Sequence, residues 1–323
     1  MKNIKSIFRI LPLIVFTAAG VSCQNKLLSD GGCGGGIDPN LTDVTVRINW
    51  TAGQNIPTVY GMRINLFSLD GGVDYGRDDV PCYGGVVKLP FETQWLTYAY
   101  NYVGNNVQFR NEADKDIIEG TSAPLVRATA AELVRATYSR AYPNEPTINQ
   151  IVGDLYVGIN QSYTVQRTAD PQYIDVYPQD VVDTYIFEIR NIEGAEFISA
   201  TRGAMSGMSA SYFLATGALS TTPATVLFDA TTNPTQGTIT GQFRTFGSIQ
   251  PTNDFTVEIL FPSSTNGIMQ KTWNGVVPEF LGNRTYRIIL DGTGIVVPDE
   301  GGPLTGQWDV DVKDWNNVTV PLQ

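Results

Sequence analysis

The stretch DVTVRINW, residues 43–50, sets Val44, Val46, Ile48 and Trp50 at alternate positions with Thr45, Arg47 and Asn49 between them. Side chains alternate across a β-strand with period two, so this stretch reads as a strand with one apolar and one polar face. The same rhythm continues in VYGMRINLFSLDGG (59–72), which closes on the turn signal Asp70-Gly71-Gly72. GGVVKLPF (84–91) and WLTYAYNYVGNNVQFRN (95–111) extend it. In the second of these, Tyr98, Tyr100 and Tyr102 share a face. Gly104-Asn105-Asn106 then reads as a tight turn leading to Val107 and Phe109. β-branched and aromatic residues at every second position predict half-buried antiparallel sheet.

One segment departs from this rhythm. SAPLVRATAAELVRATYSRAY (122–142) places Leu125, Thr129, Leu133 and Ala136 near one helical face, with Pro124 at its start and Pro143 at its end. It predicts a short helical insertion between strands. DLYVGINQSYTV (154–165) returns to strand, and RTADPQYIDVYPQDV (167–181), with Pro171 and Pro178, reads as a boundary.

Beyond it lie VDTYIFEIRNIEG, GTITGQFRTFGS, DFTVEILFPSS, RTYRIILDG and GQWDVDVKDWNNVTVPL. In the last of these, Trp308, Val310 and Val312 alternate with Asp309, Asp311 and Lys313. Two strand-rich halves with Gly and Asn turns indicate an all-β chain of two tandem antiparallel β-sandwiches. The expected division is 42–172 and 173–323, without a clear sequence repeat between the halves.

The front of the chain has a different character. Lys2, Lys5 and Arg9 precede an apolar run from Ile10 to Ala19, and small residues then lead to Cys23. The run is too short for a membrane span of about 20 residues. It fits an export signal over 1–22 that ends at a cysteine to be acylated with fatty acid, although Gly20 stands where such signals usually carry an aliphatic residue; the alternative is an ordinary secreted protein in which Cys23 is incidental. Residues 23–41, with five glycines between 31 and 36, then read as a flexible tether to a membrane.

Without Lys2, Lys5 and Arg9, 18 basic residues face 32 acidic ones, a net charge of −14. Such a surface argues against nucleic acid as partner. The chain has no histidine, which removes His-based nucleophile systems and His-containing metal or haem sites. Cys33 and Cys82 remain, either as a disulfide or as two separate thiols.

The chemistry-bearing clusters read mostly as structure. Asp70, Asp74, Asp78 and Asp79 are dense enough to invite calcium, but their spacing is not that of a calcium loop, and a solvated hairpin explains them. DGTGIVVPDEGGP (291–303) reads the same way. A glycosidase would need two facing carboxyls. Glu258 and Asp309 are candidates, but each sits at a polar strand position where solvent is expected. Trp95, Tyr98, Tyr100 and Tyr102 form either a sugar-stacking platform or, more simply, sandwich core. ATRGAMSGMSASYF (200–213) reads as a flexible loop or a crossing between strands. No cofactor, metal or catalytic residue is assigned.

The order of these landmarks resembles the fimbrillin-like lipoproteins, related to the subunits and anchors of type V pili. The resemblance runs from the signal ending at Cys23 through VTVRINW, YGMRINLFSLDGG, VYPQDVVDTYIFEIRNIEG, GAMSGMSASYF and GQFRTFGS to WDVDVKDW. It implies transthyretin-like sandwiches and a role in pilus assembly, anchoring or surface adhesion. It also implies association by strand exchange, in which a strand from another subunit fills a groove left by the first strand.

On this sequence the replaceable strand would carry Val44, Val46, Ile48 and Trp50. The donor would carry Trp308, Val310, Val312, Val318, Val320 and Leu322. Family stalk subunits are cut after a basic residue in the loop following the first strand, and TAGQNIPTVYG (51–61) has none. That departure favours an outer-membrane anchor or accessory surface protein with pilus subunits as partners. A host ligand or glycan remains open as a further partner. Two other readings stay open: a glycan-binding lipoprotein of a carbohydrate-uptake system and a carboxylate-dependent glycoside hydrolase.

Overall fold

The computed structural model describes residues 40–51, 60–71, 75–122, 145–262 and 267–299. The first part of the chain forms β1 (Leu41–Ile48), β2 (Met62–Ser68), β3 (Tyr75–Val80), β4 (Gly84–Pro90), β5 (Gln94–Tyr100), β6 (Val107–Arg110), β7 (Glu119–Ser122), β8 (Thr147–Asn149), β9 (Tyr156–Thr164), β10 (Gln172–Val176) and β11 (Gln179–Asp180). The rest forms β12 (Asp183–Arg190), β13 (Ala200–Ser209), β14 (Ser211–Phe213), β15 (Pro223–Asn233), β16 (Thr238–Thr245), β17 (Asn253–Phe261), β18 (Gly267–Val276), β19 (Glu279–Gly282) and β20 (Thr285–Asp291). The helical element among the described residues is a three-residue 3-10 turn, Ala195–Phe197. The chain is all-β, as its periodicity predicts. The predicted helical insertion falls almost wholly outside the described residues, as do Cys23, Cys33 and the strand from Trp308 to Leu322.

Two sheets enclose the first core. One has the order β10-β1-β4 and the other β11-β9-β5-β2-β3. Val44, Val46 and Ile48 of β1 point inward and meet Ile64, Leu66, Trp95 and Val176. Each such side chain, fully buried, stabilises the fold by about 1.5–3 kcal/mol. Residues 172–180, expected between the halves, are strands: β10 lies parallel to β1, and β11 antiparallel to β9.

β5 is buried on both faces, not on one as its alternation suggests. Trp95 and Ala99 enter the first core. Leu96, Tyr98 and Tyr100 enter a second core that also holds Val182, Leu214 and Phe246 from the later part of the chain. A sheet covered on both sides loses the polar half of its alternation. β6 does not form a hairpin with β5; it pairs with β7, and β7 pairs with β14.

The later strands form one sheet in the order β18-β17-β13-β15-β16-β12-β20-β19, with β8 alongside β15. This sheet folds over at β15. Its residues Pro223 to Ala230 pair with β13, while Thr231 to Asn233 pair with β16. Between the layers, Phe228, Phe243, Tyr185 and Tyr286 stack in a column, with centroid spacings of 4.1, 5.0 and 4.9 Å.

The stretch 200–213, expected as loop or crossing, supplies the central strand β13 and the short β14. Its glycines serve packing: a Cβ on Gly203 would lie 2.1 Å from Cε2 of Phe228. Gly207, at φ +71°, sits where the β13–β15 register shifts.

Candidate functional site

β1 sits between two strands that have no other partner in their sheet. On one side it pairs antiparallel with β4, Val44 opposite Val87 and Arg47 opposite Gly84. On the other it runs parallel to β10, Val44 opposite Gln172 and Arg47 opposite Asp175. The pairing extends past the strand end, where the Asn49 N–H donates to the Val176 carbonyl at 2.8 Å. Trp50 closes that end. Its Nε1–H donates to the Cys82 carbonyl at 2.7 Å, and its ring meets Tyr156 edge-on at 5.1 Å.

Outside the sheet, Arg47 holds Asp175 through two bonds, Nε–Oδ1 at 2.8 Å and Nη2–Oδ2 at 2.6 Å, and Asn49 Nδ2 donates to the same carboxylate at 2.8 Å. These donors hold the Asp175 carboxyl below the usual carboxylate range. Lifted out, β1 would leave β4 and β10 with unpaired edges above an apolar trough lined by Val87, Leu89, Ile174 and Val176. The trough is shaped by β1 itself, whose apolar residues fill it at alternate positions.

The second half repeats the pairing directions, although there the flanking strands β16 and β20 have further partners in β15 and β19. β12 pairs antiparallel with β16 and parallel with β20, with Tyr185, Phe187 and Ile189 inward. The repeat is one of topology, since the sequences of β1 and β12 share only their alternation.

Trp95, Tyr98 and Tyr100 are buried, and the Tyr98 hydroxyl donates to the Lys115 carbonyl at 2.8 Å. They are core, and burial pushes the Tyr98 phenol up to about 12. Tyr102 lies beneath the Arg63 guanidinium at 4.3 Å. Asp79 pairs with Arg63 at 2.8 Å, and Asp70 accepts the N–H of Gln94, so these acids do not converge. Among the described residues no three His, Cys, Asp or Glu side chains group as metal ligands.

Glu258 does not face solvent as expected. It is 2% exposed and paired with Arg202, because β17 is buried on both faces. Cys82 is a half-buried free thiol. Asp74 and Asp309 lie outside the described residues.

Two features escaped the sequence reading. Glu145 is buried; it accepts from the Gly207 N–H at 3.2 Å and from the Thr225 hydroxyl at 2.6 Å, tying the chain before β8 to β13 and β15. Burial raises its pKa. A cavity of about 440 Å³ opens beside the aromatic column, lined by Asp183, Tyr212, Ser248, Gln250, Arg284 and Tyr286 among others. There the Asp183 carboxyl, 2.8 Å from the Arg284 guanidinium, is pushed up to about 6 by burial. Isolated acids at the entrance to a strand carry no sequence signal for such partners.

One core between two separate sheets and another inside a single sheet folded over at β15 define the class: a two-sandwich β-protein. The chain belongs to the DUF5119 family, a domain of unknown function, whose model matches residues 33–229. No curated protein matches it. A candidate adhesin from Bacteroides ovatus ATCC 8483 shares the fold at TM-score 0.56 and 16% identity, over 73% of this chain and 84% of that one. A second candidate adhesin from Bacteroides ovatus gives 0.48 at 10% identity, over 88% and 96%. The fimbrial anchor protein Mfa2 from Porphyromonas gingivalis gives 0.43 at 10%, over 76% and 95%.

Proposed function

We propose that this chain is a non-enzymatic cell-envelope protein of the fimbrillin type, fastened to the outer membrane by fatty acid on Cys23. It acts in pilus assembly, anchoring or adhesion by exchanging β-strands with other subunits. The observation that carries this reading is the position of β1 as the single link between β4 and β10. A strand with Val44, Val46 and Ile48 inward can be replaced by another of the same alternation, such as Trp308 to Leu322 of a neighbouring subunit, with the main-chain ladder conserved. The absence of a basic residue between 51 and 61 favours an anchor or accessory surface protein over a processed stalk subunit, so that the groove opens only where a cut is introduced there.

The experiment introduces a protease site between 52 and 59, cleaves the folded protein, and adds a labelled peptide spanning 305–323. The reading expects stable uptake of the peptide with release of β1, and no uptake by uncut protein. Retention of β1 with no uptake after cleavage would overturn strand exchange. Mass spectrometry of the protein from cell envelopes tests the anchor separately, expecting an acylated mature chain that begins at Cys23.

A further inference from the structure

The outer face of the β10-β1-β4 sheet carries a pattern that neither the core nor strand exchange uses. Tyr173, Asp175 and Tyr177 occupy alternate positions along β10 and one residue beyond it, and so project to the same side. Tyr173 and Tyr177 are 41% and 59% exposed. Between them lies a polar cluster. The Arg47 guanidinium sits 4.1 Å over the Tyr173 ring, its fork closed on Asp175, and the Asn49 amide reaches the same carboxylate. Across the sheet, Thr45 and Val86 stand in register with Tyr173, and Asp43 faces Lys88.

We propose that this face binds an uncharged glycan chain, with Tyr173 and Tyr177 as stacking platforms and the Arg47–Asp175–Asn49 cluster as the hydrogen-bonding centre. Three observations select this occupant.

The first is charge. Arg47 and Lys88 balance Asp43 and Asp175 on a chain of net charge −11, so the face is a neutral patch on an acidic protein. It neither attracts nor repels an ion and suits a polyol.

The second is area. Three strands about 4.8 Å apart, paired over about five residues at about 3.3 Å each, make a face of roughly 200 Å². That is far below the ~800 Å² per partner of a stable protein interface.

The third is spacing. Two rings four residues apart lie about 13 Å from each other along the strand. An extended oligosaccharide spans that distance and a single sugar ring does not. This inference deepens the adhesive part of the proposed function by naming a ligand class, and glycan binding itself does not require β1 to exchange.

The test is native affinity electrophoresis of the full chain in gels that contain a neutral polysaccharide (β-glucan, α-mannan, xyloglucan or arabinogalactan) or polygalacturonate. The inference expects retardation by at least one neutral polymer. Tyr173→Ala or Tyr177→Ala should weaken it tenfold or more with an unchanged Tm. Phe280→Ala, which removes an equally exposed aromatic from β19, should leave it intact. No retardation by any neutral polymer, retardation by polygalacturonate alone, or retardation that survives the Tyr173→Ala/Tyr177→Ala double variant would overturn it. Capture of a protein partner through the two tyrosines, without glycan binding, would do the same. Failure here with strand uptake intact sinks the ligand and leaves the exchange reading standing; the reverse result sinks exchange alone.

Discussion

Arg47 and Asp175, 128 residues apart in sequence, meet as a two-bond ion pair across the parallel junction of the first strand and the last strand of its sheet. Because Arg47 lowers the Asp175 pKa, the pair contributes stability above the unfolded carboxyl pKa of about 3.9 and loses it as pH falls through the lower folded value. Arg47→Gln should therefore speed amide exchange along β1 at pH 7 and narrow the difference between pH 7 and the acid limb. Hydrogen exchange of the β1 amides across that range checks both.

Gly84 faces Arg47 from the other side, at φ +105°, and a Cβ there would lie 1.9 Å from the Val46 carbonyl oxygen. Gly84→Ala must push β4 off β1 and should cost several kcal/mol, at the severe end of single substitutions. Gly71 also has positive φ, yet a Cβ there meets nothing within 4 Å. Gly71→Ala should cost only about 1–2 kcal/mol of backbone strain. Urea unfolding of the two variants separates crowding from conformation.

Arg202 and Glu258 form a buried ion pair between β13 and β17, with side chains 17% and 2% exposed. Arg202→Met leaves a buried carboxylate short of its cation and should cost about 3–5 kcal/mol, whereas adding Glu258→Leu should recover most of the loss. A double-mutant cycle by denaturant titration reads the coupling.

Asp183 behaves oppositely to Asp175. Its folded pKa, about 6, lies above the unfolded value, so the folded state holds the proton more tightly. Stability is full below about pH 4 and declines as pH rises through 6, by at most about 3 kcal/mol for a shift of about two units. Asp183→Asn should flatten that slope, measured as unfolding free energy at pH 4, 5, 6 and 7.

The alternation of Val44, Val46 and Ile48, and of Tyr185, Phe187 and Ile189, is legible because each strand has one face on a core and one on solvent. The same rule misplaces Glu258, since β17 is covered on both sides and its polar position needs an arginine from another strand. It also misreads 200–213, where Gly203 and Gly207 look like loop residues but make room for the Phe228 ring and a register shift. The parallel pairing of β10 with β1 leaves no local trace, because register is set by partners more than a hundred residues away. The Tyr173–Arg47–Asp175 face escaped notice for the same reason: its members become neighbours only when β1 and β10 are laid side by side.

The closing of each layer by its first and last described strands has a consequence for biogenesis. A nascent chain emerging from its amino-terminal end presents Val44 and Val46 long before Ile174 and Val176 exist to cover them. At roughly 5–20 residues per second, synthesis of the intervening 128 residues leaves that apolar ribbon waiting about 6–26 s. A holdase that binds extended hydrophobic segments would have its natural target there.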